Sequence, residues 1–61
     1  MVVKTLSGNR VNTKFIVSVN VKEFGDKYLV EVETVIGNKR KIFVGDKEAC
    51  EQYADDIAFE L

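Results

Sequence analysis

Residues 11–22, VNTKFIVSVNVK, alternate with a period of two. Val11, Thr13, Phe15, Val17, Val19 and Val21 fall on one face of an extended chain, and Asn12, Lys14, Ile16, Ser18, Asn20 and Lys22 on the other. A helix would scatter this pattern around its axis, whereas successive strand side chains point to opposite faces. The segment predicts a long strand with one apolar face, and the rest of the chain must cover that face.

The neighbouring segments supply further strands. KYLVEVETV, residues 27–35, places Tyr28, Val30, Val32 and Thr34 on one face, after an EFGD turn that contains Gly25. Pairing Lys22 with Lys27 sets Val21 opposite Tyr28, Val19 opposite Val30 and Val17 opposite Val32, so the apolar sets share a face. Upstream, VVKTL pairs back across Gly8 and Asn9, with Leu6 meeting Val11 and Val2 meeting Phe15. Downstream, IGNKRKIFV makes a last hairpin with two possible registers. A turn at Gly37 and Asn38 sets Phe43 across from Val32 and turns Ile42 and Val44 outward. A three-residue loop over residues 37–39 turns Ile42 and Val44 inward and Phe43 outward. The second is preferred, because two core residues outweigh one.

The remaining segment, DKEACEQYADDIAFEL, has helical spacing. Asp46 is placed to cap the first turn, and Glu48 sits near the positive end of the helix dipole. Cys50, Tyr53, Ala54, Ile57, Ala58 and Leu61 form one stripe to lie on the valine face. The expected fold class is α+β: an antiparallel four-stranded β-meander, order β-β-β-β-α, with one C-terminal helix packed on one face. It is a single small domain over residues 1–61.

A chain of 61 residues buries only about 60% of its unfolded surface, so its core is marginal. One cysteine cannot form an internal disulfide, and with no histidine no zinc site is expected. Small domains without such staples often lean on a partner or on self-association. No signal peptide or membrane-spanning stretch is expected, since the longest apolar runs are three residues, as at residues 42–44. A lone thiol fits a reducing compartment, and the cytoplasm is the expected location.

Catalysis is not expected. Cys50 has no imidazole base and lies on the stripe facing the sheet, where a thiol behaves as a small hydrophobe. Asp55 and Asp56 point about 100° apart on a helix and cannot share a site. Glu31 and Glu33 share a strand face, but without a partner suited to acid–base work. No phosphate-cradling glycine loop is present, and no cofactor or metal is expected.

The uncovered sheet face is the expected place of function. It carries Lys14, Ile16, Ser18, Asn20, Lys22, Leu29, Glu31, Glu33, Val35, Lys41 and Phe43. Ile16, Leu29, Val35 and Phe43 would give it an apolar patch, the mark of an interface if they touch and ordinary half-exposed packing if they do not. Phe24 at a turn tip and Phe59 on the polar side of the helix are further exposed rings that would anchor a partner; otherwise Phe24 covers the sheet end and Phe59 folds back on a frayed last turn. The leading expectation is a non-catalytic protein-interaction or regulatory module that binds through this face, as a homodimer or on a larger partner.

Charge supplies the alternatives. Residues 1–45 carry +4 and residues 46–61 carry −5, from eight basic against four acidic residues and one against six. A basic sheet and an acidic helix solvate the fold and attract each other. A functional version uses Lys14, Lys22, Lys39, Arg40 and Lys41 on nucleic-acid phosphates, although lysines on an edge strand also deter aggregation. The converse version is a small acidic inhibitor of a nucleic-acid-binding protein, through Asp46, Glu48, Glu51, Asp55, Asp56 and Glu60.

Residues 27–61, valine-rich strand, basic turn, apolar strand and DKEACEQYADDIAFEL, resemble two nucleic-acid-binding patterns. One is the last strands and final helix of double-stranded RNA-binding domains; the other is the arm-binding domain of some tyrosine recombinases. The first would imply a lysine-rich helix start, of which only Lys47 is present, and a first helix that this chain lacks. The second would imply a strongly basic sheet, where this chain has Glu31 and Glu33. No family is assigned from the likeness.

Overall fold

Asn12 ends the expected long strand early. In the computed structural model, which describes residues 2–61, its side chain accepts the Lys14 N–H at 3.1 Å and caps a 3₁₀ turn, Thr13–Phe15. Asparagine offers the backbone a local partner in place of a sheet ladder. The alternating segment becomes β2, Arg10–Asn12, and β3, Ile16–Phe24, on either side of that turn. With β1 (Val2–Lys4), β4 (Lys27–Thr34), β5 (Lys39–Gly45) and helix α1 (Lys47–Glu60), the chain is a small α+β fold. It has two antiparallel sheets, β1-β2 and β3-β4-β5, where one four-stranded meander was expected.

The 3₁₀ turn moves the side chains by one step. Ile16, expected on the outer face, is 6% exposed and belongs to the core, while Phe15 and Val17, expected inside, are exposed. A bulge then leaves Val17 unpaired between Ile16↔Thr34 and Ser18↔Glu33, so the later half of β3 resumes the expected phase. Val19 faces Val32 and Val21 faces Val30 around a two-residue turn at Gly25 and Asp26. This register differs from the expected one by two residues, which keeps every side chain on its face.

The last hairpin departs from its preferred register. Val30 pairs with Phe43, Glu31 with Lys41, and Ile42 bulges between them. Ile42 and Phe43 both serve the core side, and Val44 lies opposite Leu29 on the outer face. Phe43, expected outward, stacks on Tyr53 of α1 with ring centroids 4.8 Å apart and planes 8° from parallel.

The outer hairpins share one turn. In TLSGN, Gly8 N–H bonds the Thr5 carbonyl at 3.0 Å and Thr5 N–H bonds the Asn9 carbonyl at 2.7 Å. In TVIGN, Gly37 N–H bonds the Thr34 carbonyl at 2.9 Å and Thr34 N–H bonds the Asn38 carbonyl at 2.8 Å. Gly8 and Gly37 take φ of 94° and 85°, which side chains with a Cβ resist. The first hairpin accordingly pairs Val3 with Val11, where Leu6 with Val11 was expected, and leaves Leu6 exposed. Leu6 N–H then bonds the Lys41 carbonyl at 2.9 Å and ties this hairpin to β5.

Helix α1 starts as expected. Asp46 Oδ1 accepts the Ala49 N–H at 2.7 Å. Cys50 and Ile57 are buried with Val3, Ile16, Val30, Val32 and Ile42 in one cluster, and Tyr53 and Ala54 pack against it. Ala58 and Leu61, expected on the buried stripe, are exposed. Among the described residues no helix is long and apolar enough to cross a membrane.

Candidate functional site

Two surfaces outside the core gather side chains from several elements. The first is the outer face of β3-β4-β5. Lys22 Nζ lies 2.6 Å from Glu31 Oε1, in a pair with one half-exposed and one nearly buried side chain. The Lys22 hydrogen bond holds the Glu31 pKa below its ordinary value; burial opposes this, and the charges of Lys22, Lys39 and Lys41 reinforce it. Lys41 Nζ also sits 5.7 Å from the centre of the Phe24 ring. Phe24 is on β3 and Lys41 on β5, so this contact passes over the middle strand. Leu29 on that strand is only 3% exposed. The face therefore carries the Lys22–Glu31 pair with Lys39 and Lys41 near it, and its Leu29 is buried, so it is not the open apolar patch expected.

The second surface is a groove of about 830 Å³ between the first hairpin, the 3₁₀ turn and the β4–β5 turn. Val35 N–H donates to the Phe15 carbonyl at 2.8 Å and fixes the β4–β5 turn beside the 3₁₀ turn. Val2, Phe15, Val35 and Ile36 line the groove and are exposed. Its charged lining residues are Arg10 and Arg40. Arg40 pairs with Val32 and so stands on the opposite side of β5 from Lys39 and Lys41. Lys14 lies beside this surface, with its Nζ 5.3 Å from the Phe15 ring centre.

Of the expected interface residues, the structure places Ile16 and Phe43 in the core layer, Leu29 beneath the outer face and Val35 in the groove. They do not form one surface. Phe24 is half-exposed beside Lys41, and Phe59 on α1 is 88% exposed. Of the expected basic set, Lys22, Lys39 and Lys41 share the outer face around Glu31, while Lys14 and Arg40 belong to the groove side. The sequence reading missed Val2, Arg10, Phe15 and Ile36 as surface partners. The repeated T-x-x-G-N-basic pattern, TLSGNR and TVIGNK, was the signal that would have set both turns.

Cys50 is buried, and its Sγ lies 3.7 Å from the Gly45 carbonyl oxygen. Among the described residues no three His, Cys, Asp or Glu side chains gather as a metal site requires. Comparison with protein-family models, curated proteins and solved structures returns no match.

Proposed function

We propose that this chain is a small non-catalytic binding module that recognises a protein segment through the groove beside the 3₁₀ turn. The observation that carries this is the gathering of Val2, Phe15, Val35 and Ile36, all exposed, around one concave surface. Scattered exposed apolar residues need no explanation, but contiguous ones rimmed by polar groups mark interaction sites. Ile36 in particular is 78% exposed at a turn tip, and the Val35–Phe15 backbone bond holds the turn in place before any partner arrives. Such preorganisation lowers the entropic cost of binding. The unpaired thiol is consistent with a reducing compartment such as the cytoplasm.

A second reading places nucleic-acid phosphates on Lys22, Lys39 and Lys41. It draws on their shared face and on the half-exposed Phe24 ring beside them. Against it, Lys22 is committed to Glu31, and Glu33 is on the same face.

The test uses immobilised wild-type protein and Ile36→Asp, incubated with the same cell extract. Proteins retained by the wild type and lost from the variant support groove recognition. The same proteins on both overturn it. Titration of fluorescent DNA and RNA at low and high salt tests the second reading, which requires binding that weakens steeply with salt.

A further inference from the structure

We infer that the segment seated in the groove is the C-terminal helix of a second copy of this chain, each copy lending its helix end to the other. This rests on the groove reading above and names its partner. Charge is the first argument. Among the described residues the charged side chains lining the groove are Arg10 and Arg40, with no carboxylate. After Lys47, every charged residue of α1 is acidic. Phosphates or acidic peptides would satisfy the arginines alone, but Val2, Phe15, Val35 and Ile36 line the same groove beside Asn9, Asn12, Thr34 and Asn38, so an occupant that brings an apolar group with its acids fits it better.

Phe59 supplies that group. It is the most exposed large apolar side chain among the described residues, at 88%. Its neighbours three and four positions earlier are Asp56 and Asp55, which share its side of the helix. A ring rising from carboxylates complements an apolar groove flanked by guanidinium groups. Such matching selects the partner and fixes its orientation.

Position is the independent argument. Helix α1 begins beside Gly45, which pairs with Tyr28 at one end of the sheet. Its fourteen residues extend roughly 20 Å. The run of β4 from Tyr28 to Thr34 covers about the same length. The helix is thus long enough to reach the Thr34 end of the sheet, and it contacts the 3₁₀ turn as well as β3, β4 and β5. The groove lies at this end of the sheet, beside Thr34 and Phe15. Helix and groove thus share the 3₁₀ turn as a neighbour. Reciprocal exchange between two copies then closes as a two-fold pair and does not propagate as a chain.

The experiment is light scattering after size exclusion, with sedimentation equilibrium over a range of concentrations. The probes are the full chain, Phe59→Asp and Ile36→Asp. Both substituted residues are strongly exposed, and far-UV circular dichroism checks that the fold is kept. The wild type is expected to dimerise, and each substitution to raise the dissociation constant at least about tenfold. An equimolar mixture of the two variants has one intact groove and one intact helix end. It should dimerise more tightly than either variant alone. A monomeric wild type at the highest soluble concentration, a dimer indifferent to both substitutions, or a mixture no tighter than its components would each overturn the inference. The groove reading is judged separately. If the wild type is monomeric but still retains extract proteins that Ile36→Asp loses, self-pairing fails and groove recognition stands. If neither is seen, both fail.

Discussion

Thr5 and Thr34 hold the same place in two like turns, but their hydroxyls have opposite fates. Thr5 Oγ1 accepts the Asn9 N–H at 3.0 Å and lies 3.0 Å from Ser7 Oγ. Thr34 Oγ1 is buried with no hydrogen-bond partner. At the position of Ser7 the second turn has Ile36, which has no hydroxyl to offer.

Removal of the two hydroxyls should therefore differ in sign or size. Thr5→Val leaves the Asn9 N–H without its side-chain acceptor and is expected to cost about 1 kcal/mol. Thr34→Val removes an unsatisfied polar atom and is expected to be neutral or mildly stabilising. Urea unfolding of both variants, read as midpoints at constant slope, makes the comparison. Equal losses would show that the hydroxyls are equivalent and sink the argument.

Gly45 is needed for space. A Cβ added there would meet Cε2 of Phe43 at 3.0 Å, and that ring is pinned on its other contact by the Tyr53 stack. Gly45→Ala is expected to cost roughly 1–3 kcal/mol through overpacking. In the Phe43→Leu background, where the ring is gone, the same substitution should cost measurably less. A thermal-denaturation double-mutant cycle with no coupling between the two sites would contradict this contact.

Glu31 makes part of the stability pH-dependent. Its pKa in the fold is lowered, first by the Lys22 hydrogen bond. A carboxylate with a depressed folded pKa contributes its stabilisation fully above its unfolded pKa. That contribution is lost as pH falls through the folded value. Because Lys22 is half-exposed, solvent screens the pair and the effect is small. Lys22→Met should raise the Glu31 pKa toward the ordinary range and flatten the acid limb of the stability curve. An NMR titration of the Glu31 side-chain carboxyl in both proteins decides it; an unmoved pKa would assign the shift to other charges.

The parts of this fold legible in the sequence are those where a simple period survives. Val19, Val21, Val30 and Val32 face the core because the hairpin slipped by an even number of residues. Asp46 and the Cys50–Ile57 spacing describe α1 because a capped helix is a local matter. Ile16 and Phe43 were misplaced for one kind of reason. A 3₁₀ turn before Ile16, and the bulge at Ile42 before Phe43, each insert a step that a strict period of two cannot represent. The groove was hidden by the same error. Once Phe15 is counted as core, the surface it forms with Val35 and Ile36 has no centre.

The bulge at Val17 and the Leu6–Lys41 bond act at opposite margins of the larger sheet. A free strand margin is a template for adding another chain's backbone, and natural sheets blunt it with bulges or cover it. Here β3 is interrupted near its start, and the tip of the first hairpin engages the Lys41 carbonyl of β5. Both devices discourage ribbon-like polymerisation in a chain with many valines and no proline. Crowding this protein thus meets a built-in resistance to fibril growth along either margin of the larger sheet.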